Sequence, residues 1–194
     1  MRGAKEAAFL LPPDVLFEIT FQKNYLNSYY LTVEFVELDN WCTGRYDFWR
    51  NKIEINITPD PGHPFPFEYI SENGYSEEEI LFVFLHEMGH SWDWDSQSKS
   101  HVSFSETYKE ILKKEKSPSL YAYYHYNKDG KLEKRDEINE VEDFAESFAS
   151  YVLLPEYLKK NFALRYNWFK TNVFDGIEYE SIPSSEKARL TEPF

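Results

Sequence analysis

Residues 78–95 read "EEILFVFLHEMGHSWDWD". Two histidines and a glutamate stand there inside a run of large apolar residues. Polar side chains on a helix that buries itself are costly unless something binds them, so the stretch calls for a partner. Within it, His86-Glu87-Met88-Gly89-His90 is the HExxH arrangement. Residues at i and i+4 lie about 40° apart around a helix, so both imidazoles reach one point. Zinc accepts two such nitrogens at about 2.0–2.1 Å. Glu87 lies about 100° around from His86. It can stand beside the metal without binding it and take a proton from water there. His86 and His90 are therefore read as ligands of one Zn2+ ion, and Glu87 as the general base.

The third ligand has to come from elsewhere. The metzincin pattern HExxHxxGxxH fails, because Asp93 and Ser96 occupy its later positions. His101 follows a polar loop and His125 falls in an expected hairpin, so both read as surface histidines. Two i, i+4 carboxylate pairs remain, Glu106/Glu110 and Glu142/Glu146. In the first helix Phe104, Tyr108, Ile111 and Leu112 define the apolar face, and both glutamates point away from it. In the second, Val141, Ala145, Phe148, Ala149, Val152 and Leu153 form the stripe. Glu142 falls inside it by angle and Glu146 at its edge. A carboxylate on a buried stripe is costly without a cation, so Glu142 is the expected ligand and Glu146 the group that orients a ligand histidine. A solvated helix edge is the competing reading, favoured by the polar neighbours Asp143 and Ser147. Asp93, seven residues after His86 on the same stripe, either supports a ligand imidazole or caps the end of an exposed turn.

Around these motifs the pattern is mixed. Helices are expected at 4–21, from Ser76 to about Trp94, at 103–116, 140–154 and 156–174. Ser76 and Glu79 form a capping box. Strands are expected at 30–38 and 52–58, where Ile53, Ile55 and Ile57 alternate with polar residues. "PDPGHPFPF" (59–67) is a proline-rich loop, 121–137 a hairpin turning at 127–130, and 178–194 a weakly patterned tail. The fold class is α+β: a small twisted sheet over the HExxH helix, with further helices below.

The chain has 194 residues and a net charge of −13, which suits one domain with a sizeable core. The acidic balance argues against nucleic acid or an anionic membrane as partner. Cys42 is the only cysteine, which excludes an intrachain disulfide and a Cys-rich structural zinc site. No apolar run approaches a membrane span. The start lacks a full signal-peptide core and cleavage site, so the expected location is cytoplasmic. Aromatic residues reach 19%, enough to fill a core or line a cleft.

The paired motifs resemble those of gluzincin zinc metallopeptidases, most closely the catalytic domain of anthrax lethal factor and the related Pro-Pro endopeptidases. That family carries HExGHxxD followed by ExFAExF on a downstream helix. The corresponding strings here are "HEMGHSWD" (86–93) and "EDFAESF" (142–148). The resemblance spans about residues 53–154. It implies a zincin-like fold, a catalytic Zn2+ bound by Glu142 as well as the histidines, Glu146 behind them, and a protein or peptide substrate. The family also places an oxyanion-stabilising tyrosine seven residues before the ligand glutamate, where this chain has Arg135. "SLYA" (119–122) is similar to the stretch that carries it. The hairpin is then an insertion and Tyr121 the tyrosine, with Tyr124 or Tyr126 as substitutes. A second resemblance, carried by "EDFAESFASYVLLP" (142–155), is to the ImmA/IrrE peptidases, which implies control of a partner protein as the alternative function. Both resemblances imply the same metal ligands. The expected activity is zinc-dependent endopeptidase, by metal-activated water with a glutamate base.

Overall fold

The computed structural model describes residues 32–36, 44–47, 50, 52–56, 77–95, 100–126 and 132–180. The expected helix at 4–21, the proline-rich loop, the capping serine Ser76, the hairpin turn and the tail beyond residue 180 lie outside them. The described residues form an α+β structure. A three-stranded mixed sheet comprises β1 (Thr32–Val36), β2 (Gly44–Asp47) and β3 (Lys52–Asn56). Its order is β1-β3-β2, with β1 parallel and β2 antiparallel to β3. Next come helix α1 (Glu77–Asp93), the short pair β4 (Trp94–Asp95) and β5 (Ser100–His101), and α2 (Glu106–Leu112). The hairpin strands β6 (Tyr124–Tyr126) and β7 (Leu132–Lys134) lead into α3 (Glu140–Leu153), α4 (Pro155–Asn161) and α5 (Ala163–Asn172). No described helix is long and apolar enough to cross a membrane.

Helix α1 is buried all round from Leu81 to Gly89, as a helix in the centre of a domain must be. It contacts β2, β3 and, most extensively, α3. Two glycines set those approaches. A methyl group at Gly44 would lie 2.6 Å from Val83 Cγ1 and 3.1 Å from Glu87 Oε1, so β2 crosses α1 closely only because no side chain intervenes. A methyl at Gly89 would lie 2.8 Å from Ala145 Cα and 3.1 Å from Phe148 Cβ, so α1 and α3 touch nearly backbone to backbone. At about 100° per residue, His86 and His90 fall between the Gly89 face and the Val83/Glu87 face of α1. The histidines therefore emerge at the seam between the sheet and α3.

Aromatic residues fill the space beneath α3. Tyr151 stacks on Phe174 with ring centroids 4.5 Å apart, and Phe144 packs against Phe169 at 4.9 Å. Such pairs add about 0.5–1.5 kcal/mol each beyond their buried area, and they hold α3 against α5 and the segment after it.

The structure corrects the sequence reading in three places. Strand β3 is not half-wet: Glu54 and Asn56 are buried along with Ile53 and Ile55, and Glu54 is neutralised by Arg45 and Lys52. The helix expected at 103–116 is shorter. A 3-10 turn at Val102–Phe104 precedes α2, and Ser105 starts the helix by accepting a hydrogen bond from Tyr108 N. The helix expected at 156–174 is two helices, broken at Phe162. Its second half starts afresh because the Glu115 carboxylate accepts from Leu164 N at 2.8 Å and Arg165 N at 3.1 Å. A remote carboxylate thus satisfies the open N–H groups of α5 and complements its dipole. Pro155 stands at the first position of α4.

Candidate metal centre

Among the described residues, His86, His90 and Glu142 form one group of potential metal donors, whose ligand atoms lie within 4.8 Å of one another. Glu142 Oε2 stands 3.3 Å from His86 Nε2 and 3.4 Å from His90 Nε2. Donors bound at about 2.0–2.1 Å to one tetrahedral ion stand about 3.4 Å apart, so these separations fit the edges of such a coordination shell. Glu142 Oε2 is buried and has no hydrogen-bond partner among the described residues. A buried carboxylate oxygen left without a partner carries its full desolvation cost, and a cation between the three atoms would offset it. The donor chemistry therefore fits a metal ion.

The supports differ in kind. Glu146 is 2% exposed, and its Oε1 lies 2.7 Å from His86 Nδ1. That contact is close without hydrogen-bond geometry at Nδ1, and it packs the carboxylate against the ring whose Nε2 is directed at Glu142. The edge-to-face packing of the His86 and His90 rings, 4.6 Å between centroids, further restricts both. Glu87 is 4% exposed and lies on the β2 side of the seam, beside Gly44. The Tyr121 ring meets the His86 ring at 5.6 Å in a steep crossing of 69°. Tyr121 belongs to a 3-10 turn, Tyr121–Tyr123, that docks on the start of α3. There Asn139 N donates to Ala122 O at 2.8 Å. Tyr124 opens β6, opposite Lys134, and the Tyr126 side chain lies outside the described set.

The charges are coupled. Burial pushes Glu142 up, but the charge on His90 and the contacts with both imidazoles outweigh it and hold the carboxyl well below its ordinary range. Burial pulls His86 and His90 down, yet the neighbouring carboxylates outweigh it and raise both, His86 strongly. Glu87 is raised, chiefly by burial, against the opposing pull of His90 and His86.

Other residues singled out by sequence fall elsewhere. Glu106 and Glu110 are exposed, and Glu110 pairs with Lys113 at 2.6 Å. His125 lies near Glu133, 3.9 Å away. Asp93 is neither on an exposed turn nor bonded to a metal-site imidazole. It is fully buried and accepts from Ser103 N and Oγ at 2.7 and 2.9 Å. The imidazole it holds is that of His101, whose Nδ1 is 2.7 Å away. The carboxylate fastens the segment after α1 back onto the helix end. Asp143 and Ser147, whose polarity favoured the competing solvated-edge reading, are both fully buried. Sequence reasoning missed Gly44, Gly89 and Asp143. The small pair Gly89, next to His90, and Ala145, next to Glu146, was the available signal for close helix packing. No family model matches the chain, and no curated protein matches it by sequence.

Proposed function

We propose that this chain is a zinc-dependent endopeptidase with a zincin-like architecture, in which His86, His90 and Glu142 hold the ion. The observation that carries the reading is the convergence of His86 Nε2, His90 Nε2 and a partnerless Glu142 Oε2 at tetrahedral-edge distances. Two imidazoles and one carboxylate form a donor set suited to zinc, with a coordination position left for water or substrate. When bound there, zinc supplies Lewis-acid polarisation of a peptide carbonyl and lowers the pKa of water.

The chain's own residues supply the proton handling. Glu87 takes a proton from the attacking water and passes it to the departing amine. Its raised pKa brings it nearer the pH at which such transfer is efficient. Glu146, 2.7 Å from His86 Nδ1, restricts the orientation of that ring. Tyr121, packed against His86, is the residue we assign to donate a hydrogen bond to the carbonyl oxygen as it becomes negative. Asp93 has no role in this scheme.

The test is digestion of a peptide library with cleavage-site mapping, before and after a chelator and again after added Zn2+. The expected result is internal cleavage that the chelator abolishes and zinc restores. Cleavage indifferent to chelator, or no cleavage by the zinc-loaded protein, would overturn the proposal. In the second case control of a partner without hydrolysis would take its place.

A further inference from the structure

Glu142 stands in the first turn of α3, where helices fray. Asn139, at the cap position, makes no side-chain capping bond there. The next residue, Asp143, is instead tied down by two buried side chains. Arg165 Nη2 donates to both of its carboxylate oxygens, at 3.1 and 3.0 Å. Tyr108 Oη donates to Asp143 Oδ2 at 2.8 Å. Arg165 Nη1 reaches on to Lys116 O at 2.9 Å and Glu115 Oε2 at 3.3 Å. Asp143, Arg165 and Tyr108 are all fully buried.

Such a cluster is a poor device for stability alone. Taking an aspartate and an arginine out of water costs about as much as their attraction returns, and apolar residues of similar volume often do as well. What the cluster does provide is a fixed place. Its bonds come from α2, from the segment before the Tyr121 turn and from α5. They converge one residue from the only α3 donor in the metal group. The planar guanidinium sets the angle of the carboxylate as well as its distance.

We propose that Arg165 and Tyr108 are positioning residues for the metal centre, which act through Asp143 to hold the first turn of α3 so that Glu142 faces His86 and His90. The proposal rests on the reading of those three residues as a metal site. It divides the labour between distant parts of the chain. Helix α1 carries the motif, and α5, more than 70 residues from the motif in sequence, sets the accuracy of the third ligand.

The experiment compares two conservative variants, each of which deletes one buried tyrosine hydroxyl. Tyr108→Phe removes the bond to Asp143. Tyr151→Phe removes a 2.6 Å bond to Ile177 O on another part of α3. Zn2+ affinity is measured by competition with a chromophoric chelator, and thermal unfolding is followed on the same metal-free samples. Tyr108→Phe is expected to weaken Zn2+ binding about tenfold, the low end of the loss seen when groups behind metal ligands are removed. Tyr151→Phe is expected to lower stability without changing affinity. Arg165→Lys, which keeps charge but not the fork, is expected to weaken binding at least as much as Tyr108→Phe in whatever fraction folds. Equal affinities for wild type, Tyr108→Phe and Tyr151→Phe would overturn the positioning role and leave the metal site intact. Absence of stoichiometric zinc from the wild type would instead overturn the metal-site reading itself.

Discussion

Among the described residues two imidazoles stand 2.7 Å from a buried carboxylate through Nδ1: His86 beside Glu146, and His101 beside Asp93. By distance they are the same pair, yet their surroundings differ. Asp93 is saturated, with Ser103 N on one oxygen and Ser103 Oγ and His101 on the other. The His101 ring is packed edgewise between Trp94 and Phe104, each 5.1 Å away. Around His86, its own Nδ1, Glu146 Oε2 and Glu142 Oε2 are all buried with no hydrogen-bond partner among the described residues, whereas His101 Nδ1 is hydrogen-bonded to Asp93. His86 Nε2 faces a carboxylate at 3.3 Å, too long for a good hydrogen bond and right for a shared ion. A histidine–carboxylate pair is therefore not by itself a sign of chemistry. Unspent lone pairs that converge are.

The comparison breaks first at the metal. His86→Ala or Glu142→Ala should reduce zinc content from one per chain to a small fraction, because two protein donors hold the ion poorly. His101→Ala should leave it at one. Metal analysis of chelator-free protein reads the difference, and equal zinc in His86→Ala and wild type would erase it.

The carboxylates should separate next, and in opposite properties. Glu146→Ala should weaken zinc binding about 10–100-fold. Asp93→Ala should leave the affinity unchanged and lower unfolding stability by about 1.5–3 kcal/mol or more, the range for bonds to a charged group, since it strands several donors. Chelator competition and denaturant unfolding on both variants test this. A loss of zinc affinity from Asp93→Ala alone would reverse the assignment.

A smaller effect is the pH dependence of the metal-free protein. His86 and His90 are held above their ordinary 6.5. The stability they add is fully present below about 6.5 and is lost as pH rises through their raised folded values. Glu142 is held below its ordinary 4.5. Its contribution is present above about 4.5 and is lost as pH falls towards the lowered value. His86, His90 and Glu142 together therefore favour the metal-free fold most between about 4.5 and 6.5. Glu87, raised by burial, works against the fold as pH rises above about 4.5. Added zinc should stabilise most above that window, where protons no longer compete. Thermal unfolding with and without zinc across pH would show it. A zinc increment that shrinks as pH rises from about 6 to about 8 would contradict it. Smallest of all, Glu106→Ala should change neither metal binding nor stability measurably, as expected for an exposed charge.

The legible parts of the molecule are those written in local periodicity. The HExxH spacing placed His86, Glu87 and His90 on α1, and helical angle picked Glu142 and Glu146 over Glu106 and Glu110. The alternation at Ile53 and Ile55 located β3. What escaped was set by partners distant in sequence. The break at Phe162 follows from Glu115, 49 residues before Leu164. Asp143 reads as a surface residue until Arg165, 22 residues on, is seen against it. Glu54 reads as the wet side of a strand until Arg45 and Lys52 close over it. In each case a polar residue was buried with a partner that one-dimensional patterning cannot supply. Asp93 shows the reverse: its place on the histidine stripe was legible, and its partner was the wrong histidine.

The central claim is that Glu87 is a base and not a ligand, at a site that cleaves peptides. The most direct measurement is peptide turnover by zinc-loaded wild type and Glu87→Gln, with zinc stoichiometry determined on the same samples. One zinc per chain is expected in both, with a loss of turnover of at least about a hundredfold in the variant. A Glu87→Gln protein that keeps its zinc and cleaves as fast as wild type would contradict it.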